Sequence, residues 1–176
     1  MTATVNNSRL VHSGRVFDFF KDSITLENGT SLDIEIIRHP GAAAIVALTD
    51  RDEILMLKQY RYAVGGFIWE IPAGTFSGKE SPLVCAKREL TEETGYFANI
   101  WEKLGEITPV PGYSDERIHL FLASDLSLQE QHLDSDEVLA VHAISFDKVS
   151  AMILAGEIQD AKTISALFLA ARRSGR

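Results

Sequence analysis

The stretch from Gly74 to Tyr96 constrains this chain more than any other, because a glycine-bearing turn there leads into a helix whose acids stand in an unfavourable place. Ser81 suits the N-cap, Pro82 the first helical position and Gly95 the left-handed turn past the end, so the spacing predicts a helix between those caps. Leu83, Ala86 and Leu90 recur three and four residues apart and mark an apolar stripe for a core. Glu89, Glu92 and Glu93 fall on a different stripe. Like charges at i, i+4 cost a helix about 0.2–0.5 kcal/mol, and no basic residue follows within a turn to offset them. Acids near a helix C-terminus also oppose its dipole. Taken alone, such a face is solvated surface. The alternative is a ligand set for a hard divalent cation, which takes a few carboxylates and fills its shell with water and substrate phosphate.

The surroundings favour the alternative. Gly74, Glu80, Arg88, Glu89, Leu90, Glu92, Glu93 and Gly95 follow the pattern Gly-x5-Glu-x7-Arg-Glu-Leu-x-Glu-Glu-x-Gly, which resembles the box of the Nudix hydrolase family. Tyr96 departs mildly, standing where an aliphatic residue is more usual. The resemblance implies Mg²⁺-dependent cleavage of a pyrophosphate, with Mn²⁺ as a substitute. It makes Glu89 and Glu93 the principal metal ligands and has the Ala73 carbonyl complete a shell. Glu92 is either a ligand to a further ion or an outer residue acting through water. Glu80 and Arg88 serve the architecture of loop and helix, an arginine–carboxylate pair holding the turn, with Arg88 counted in the catalytic set.

With 176 residues, the chain has room for one domain with a sizeable core and a small appended module. A net charge of −8 argues against a nucleic-acid-binding surface, so a phosphate-bearing substrate needs metal ions or a local basic pocket. The lone Cys85 cannot form an internal disulfide, which fits a reducing compartment, and a small buried side chain is its simplest reading. No signal-like or membrane-length apolar run is found, so a cytoplasmic protein without membrane association is expected.

Along the chain, strands are predicted at Arg15–Phe20, Ile24–Leu26 and Ser31–Arg38, the last two joined through Asn28-Gly29, a strong hairpin signal. Three short strands bury too little alone and must pack on the main domain or on a second subunit. The expected division is residues 1–39 as an N-terminal antiparallel sheet and residues 40–176 as the main domain. In the second part, strands are expected at Ala42–Leu48, Ile54–Gln59, Trp69–Ile71, Asn99–Ile107, Arg117–Ala123 and Val138–Ile144. Helices are expected at Asp147–Ala155 and Asp160–Arg172, the latter burying Ile164, Leu167, Phe168 and Ala171. Layered strands and helices give an α+β class. The family resemblance implies an α/β/α sandwich with a mixed sheet, and a homodimer formed through the N-terminal sheet.

Further stretches are similar to the ADP-ribose pyrophosphatase and nucleoside-diphosphate-sugar branch of that family. These are Arg38–Ala42, Lys58–Tyr62, Trp69–Gly74, the Pro111-Gly112-Tyr113-Ser114 loop and Asp160–Ile164. The branch implies a general base in the acidic loop before the last strand. Alignment on that strand selects Glu137 as base or further ligand, with Asp136 in reserve. For the substrate, Arg38 and Arg61 are expected to meet phosphate oxygens with their planar forks. Glu70 is expected at a base or ribose, and Ser114 and Glu116 at the distal sugar; Tyr60, Tyr62 or Trp69 can stack on a nucleobase, Trp69 equally being core. Two rivals remain: a hydrolase of dinucleotides or oxidised nucleotides, and a non-catalytic module sensing ADP-ribose. The intact acidic box argues against the second.

Overall fold

The computed structural model describes residues 3–133 and 137–175. The chain forms two compact units. The first runs up to Gly41 and takes in Thr108–Arg117; the second comprises Ala42–Ile107 and the chain from Ile118 onward.

The first unit is a three-stranded antiparallel sheet of β1 (Ala3–Ser13), β2 (Asp18–Leu26) and β3 (Ser31–Arg38), in that order. The Asn28-Gly29 hairpin forms as expected: Gly29 takes φ 83°, and the Thr30 amide donates to Asn28 Oδ1 at 3.0 Å. Arg15–Phe20 and Ile24–Leu26, expected as two strands, are instead largely one, because β2 is continuous from Asp18. Strand β1 was not foreseen. Every residue in it is exposed, so its sequence carries no alternation of apolar and polar residues to announce a strand. Asp22 is buried in this unit, accepting from Ser8 Oγ at 2.6 Å and Arg38 Nη2 at 2.7 Å. The 108–117 loop joins β3 through Ile37, whose amide donates to the Tyr113 carbonyl and whose carbonyl accepts from Asp115.

In the second unit, β4 (Ala42–Ala47) lies at the centre of a mixed sheet with β7 (Ala73–Thr75), β8 (Tyr96–Ile107) and β9 (Ile118–Leu128), ordered β7-β4-β9-β8. The β4–β9 pair is parallel and the others antiparallel. A second sheet orders β10 (Leu139–Ser145), β5 (Glu53–Arg61) and β6 (Gly66–Glu70), and a single 3-10 turn, Tyr62–Val64, links β5 to β6. Among the described residues three helices complete the unit: α1 (Pro82–Thr94), α2 (Phe146–Leu154) and α3 (Ala161–Arg173).

The layering follows from the alternation of β4, whose six residues are all buried. Ala42, Ala44 and Val46 point into one cluster with Val149 and Met152 of α2 and Ala166, Leu167 and Ala170 of α3. Ala43, Ile45 and Ala47 point into the other with Cys85, Ala86 and Leu90 of α1. A strand covered on both faces reads as a continuous apolar run, as Ala-Ala-Ala-Ile-Val-Ala does. Two helical details differ from expectation. Phe168 is 63% exposed, because the buried stripe of α3 runs through Thr163, Ala166, Leu167 and Ala170. Leu83 is also exposed, and the buried face of α1 is Cys85, Ala86, Glu89, Leu90, Glu93 and Thr94. That face therefore contains two of the acids assigned to the polar stripe.

Candidate active site

The site is built on the turn between β7 and α1. Ser81 caps α1 by accepting from the Val84 amide at 3.4 Å, Pro82 starts the helix, and Gly95 ends it at φ 70°. Downstream, the Gln129 amide bonds the Gly95 carbonyl at 2.7 Å and the His132 amide bonds the Glu92 carbonyl at 3.1 Å. The Gln131 side-chain amide donates to the Glu93 carbonyl. The segment following β9 is thus tied to the last turn of α1, where orphan carbonyls need donors.

Arg88 organises the acids. Its Nη2 donates to Glu80 Oε1 at 2.7 Å and to the Thr75 carbonyl at 3.2 Å, while its Nη1 donates to Glu89 Oε1 at 2.6 Å and Glu92 Oε2 at 2.8 Å. Glu80 in turn accepts from the Ser77 amide at 2.7 Å, which closes the loop, and Arg88 holds its carboxyl below the usual range. No basic residue follows the acidic stripe within a turn, but one precedes it. The offsetting residue precedes the stripe by one residue and pairs i to i+4 with Glu92.

Glu93 is 1% exposed and accepts from the Ala73 amide at 2.8 Å. Burial holds its carboxyl well above the ordinary value; the Ala73 bond opposes that, and the charges of Glu89 and Glu137 add to it. Glu89, 8% exposed, is pushed up to about 7, first by burial, against the attraction of Arg88 and with further repulsion from Glu92 and Glu137. Glu137 is half-buried, and its effect on both residues places it within electrostatic reach of the pair. Asp136, the reserve base, lies outside the described residues. Gly74 is a cradle for Glu89: a Cβ there would stand 2.0 Å from the Glu89 carboxyl carbon.

These residues fit a divalent cation by the chemistry of the donor set. Oxygen ligands predominate, at least two are buried, and their mutual repulsion is what a cation relieves. Among the described residues no three His, Cys, Asp or Glu side chains are gathered closely enough to encage an ion, and Arg88 pairs with both Glu89 and Glu92.

Arg61 and Glu70 are brought together on β5 and β6: Arg61 Nε donates to Glu70 Oε2 at 2.7 Å, and the arginine's charge reaches Glu93. Lys162 donates to Glu70 and to Asp160, and its bond to Glu70 links residues 92 positions apart that no reading of the sequence assigned. The only signal for it was the Asp160–Ile164 stretch as a motif. Arg38, Ser114 and Glu116 belong to the first unit. There Arg38 gives Nη1 to Asp115 at 3.1 Å and Nη2 to Asp22, so both terminal nitrogens are engaged by carboxylates. Ser114 is buried, with its Oγ accepting from the Glu116 amide at 3.1 Å. Of the aromatic candidates, Tyr62 is exposed, Tyr60 packs edge-on against Phe67, and Trp69 packs between His142 and the Lys58 ammonium beside the core.

Comparison with known proteins agrees with this architecture. The sequence matches the NUDIX domain over residues 38–167. It is 40% identical to an ADP-ribose pyrophosphatase of Bacillus subtilis, over 89% of this chain and 86% of that protein. It is 41% identical to a methanol dehydrogenase activator of Bacillus methanolicus, over the same shares. It is 32% identical to a GDP-mannose pyrophosphatase of Cronobacter sakazakii, over 84% of this chain and 91% of that protein. A crystal structure of an ADP compounds hydrolase superposes with a TM-score of 0.86 at 23% identity, covering 100% of this chain and 97% of that one, a likeness of fold. On the box, the layered fold around it and these matches together, the chain belongs to the NUDIX domain family.

Proposed function

We propose that this protein hydrolyses the pyrophosphate of ADP-ribose or a related nucleoside diphosphate sugar, giving a nucleoside monophosphate and a sugar phosphate. The observation that carries the reading is the buried pair Glu89 and Glu93 at the end of a complete box, with the charge of Glu137 acting on both. The names of the relatives narrow the substrate: two matches, over 86% and 78% of those proteins, are pyrophosphatases of ADP-ribose, and another is named a GDP-mannose pyrophosphatase.

Glu89 and Glu93 would hold Mg²⁺ or, in its place, Mn²⁺, with Glu92 and the Ala73 carbonyl as further ligands. The bound cation supplies charge neutralisation at the diphosphate and a lowered pKa for water. Glu93 is preset for the task, since the Ala73 amide fixes one of its oxygens. Glu89 would exchange its bond to Arg88 for the cation, and Arg88 would keep the loop through Glu80 and Thr75. Glu137 takes a proton from the attacking water as its oxygen bonds to phosphorus and the bridging P–O bond breaks. Arg61 meets the phosphate oxygens, with Glu70 behind it. Arg38, Ser114 and Glu116 are proposed to bind substrate from the family resemblance, and within the first unit Arg38 holds the loop that carries the other two.

The test is Glu93→Gln, which removes ligand charge at constant volume. AMP release from ADP-ribose at saturating Mg²⁺ is expected to fall by about 10²–10³-fold, as when a group acting in the transition state is lost. Near-normal turnover by a folded variant would end the metal assignment. A panel of ADP-ribose, ADP-glucose, GDP-mannose and NADH would rank substrates, and preference for NADH would favour the dinucleotide rival. We further propose a homodimer through the first unit's sheet, supported by the exposed Val5, Leu10 and Val11 of β1; a monomer by light scattering at micromolar concentration would exclude it. Among the described residues no helix is long and apolar enough to cross a membrane, and a cytoplasmic location is proposed from the single unpaired cysteine.

A further inference from the structure

Glu70 stands at the end of β6 at 3% exposure, and its two carboxylate oxygens go to two different cations. Oε2 accepts from Arg61 Nε at 2.7 Å. Oε1 accepts from Lys162 Nζ, at the start of α3. Lys162 is held in turn by Asp160 Oδ2 at 3.0 Å. The same Asp160 oxygen caps α3, accepting from the Thr163 amide at 3.0 Å and from Thr163 Oγ1 at 2.6 Å. Thr163 Oγ1 accepts from the Ile71 amide at 3.0 Å, one residue beyond Glu70. The helix start is therefore clamped to the end of β6 at two adjacent residues, and the clamp fixes the carboxylate that Arg61 leans on.

In the β5–β6 register, Glu70 lies opposite Leu57 and Arg61 lies opposite Gly66, so the Arg61 side chain runs back along the sheet to reach Glu70. It arrives with Nε, which leaves the two terminal nitrogens of its fork outside this bond. A guanidinium prefers to engage a carboxylate through two parallel N–H groups. Lys162 already donates to Oε1, the oxygen such an embrace would use, and its positive charge opposes the approach of a second cation to that oxygen. We propose that Lys162 is a positioning residue for Arg61: by taking Oε1 of Glu70 it limits the arginine to a single bond through Nε and keeps the rest of the fork available for substrate phosphate. The inference rests on the reading of Arg61 as the phosphate-binding arginine. It assigns a role in substrate binding to a lysine from the far end of the chain.

The test is a double-mutant cycle of Lys162→Met and Arg61→Ala. Dissociation constants for ADP-ribose are measured calorimetrically in EDTA, KM and kcat with Mg²⁺, and melting temperatures for every variant. Lys162→Met is expected to weaken ADP-ribose binding and raise KM about tenfold while kcat stays within about threefold. In the Arg61→Ala background the same substitution is expected to add less than about twofold, because the group it positions is gone. An equal loss in both backgrounds would make the lysine merely structural and overturn the proposal. So would unchanged binding in Lys162→Met, or in Arg61→Ala. If Lys162→Met does not fold, Lys162→Ala enters the same cycle with the same outcomes, since it too removes the donor to Oε1 of Glu70. A wild-type chain that binds ADP-ribose but releases no AMP would sink the hydrolase reading alone, since the cycle in EDTA needs no turnover. A chain that binds neither ADP-ribose nor inorganic pyrophosphate would overturn both.

Discussion

Gly74→Ala isolates the position of one carboxylate from the stability of the fold. Gly74 is not among the glycines with positive φ, so alanine meets no backbone strain there. Its new Cβ would stand 2.0 Å from Glu89 Cδ and Oε1 and 2.4 Å from Oε2, where ordinary contact begins at 3.4 Å. The carboxylate must therefore retreat by about 1.4 Å, the difference between those contact distances. It is the end of a flexible side chain, so the retreat costs a rotamer adjustment of about 0.5–1.5 kcal/mol. The loss of backbone freedom in the unfolded chain returns about 0.4–1 kcal/mol. Net stability should change by no more than about 1 kcal/mol, or about 2–4 °C in Tm for a chain of this size. A misplacement of about 1 Å in a reacting geometry costs about 10²-fold in rate, so kcat/KM on ADP-ribose should fall by roughly that factor. Gly105→Ala serves as the control, since its Cβ would meet only Leu169 Cδ1 at an ordinary 3.5 Å. A Gly74→Ala enzyme that melts normally and keeps activity within about threefold of wild type would refute the claim that Glu89 must stand where it does.

Two other expectations come from the same interior. In EDTA the folded state holds protons on Glu89 up to about 7, against an ordinary 4.5, and on Glu93 well above it, so between those pH values it binds more protons than the unfolded chain. Stability must then fall as pH rises through that window, by up to about 3 kcal/mol for Glu89 at about 1.36 kcal/mol per pKa unit. Melting temperatures in EDTA should drop from pH 5 to pH 8, with Mg²⁺ restoring them at the upper end; a flat or rising EDTA series would contradict the burial argument. Thr163→Val, at a fully buried position, strands the Ile71 amide and removes a donor to Asp160, and should cost about 1–3 kcal/mol in urea unfolding. A loss below about 0.5 kcal/mol would mean that the clamp on α3 does not bear on stability.

Local chemistry was legible wherever neighbours in sequence are neighbours in space. The caps of α1, the Asn28-Gly29 hairpin and the continuous apolar run of β4 each depend on a few adjacent residues, and each forms. Misreadings arose where burial is set by something distant. Phe168 looks like a core residue by spacing, yet packing against β4 selects the stripe through Ala166 and Ala170 instead. Strand β1 has no periodic signal because pairing with β2, rather than a buried face, defines it. Arg88 could be assigned to the loop through Glu80, but its reach to Glu92 depends on the side-chain path it takes over α1.

From sequence alone came the family, the helix that carries the acids and the proposal of which acids bind a cation, because a punctuated helix and its side-chain spacing are properties of one short segment. Tertiary structure decided which of those acids are buried, that Glu137 lies within their field, and that Lys162 shares a carboxylate with Arg61. The reason is physical: desolvation and charge coupling depend on distance through space, and a chain's order along its backbone does not specify that distance.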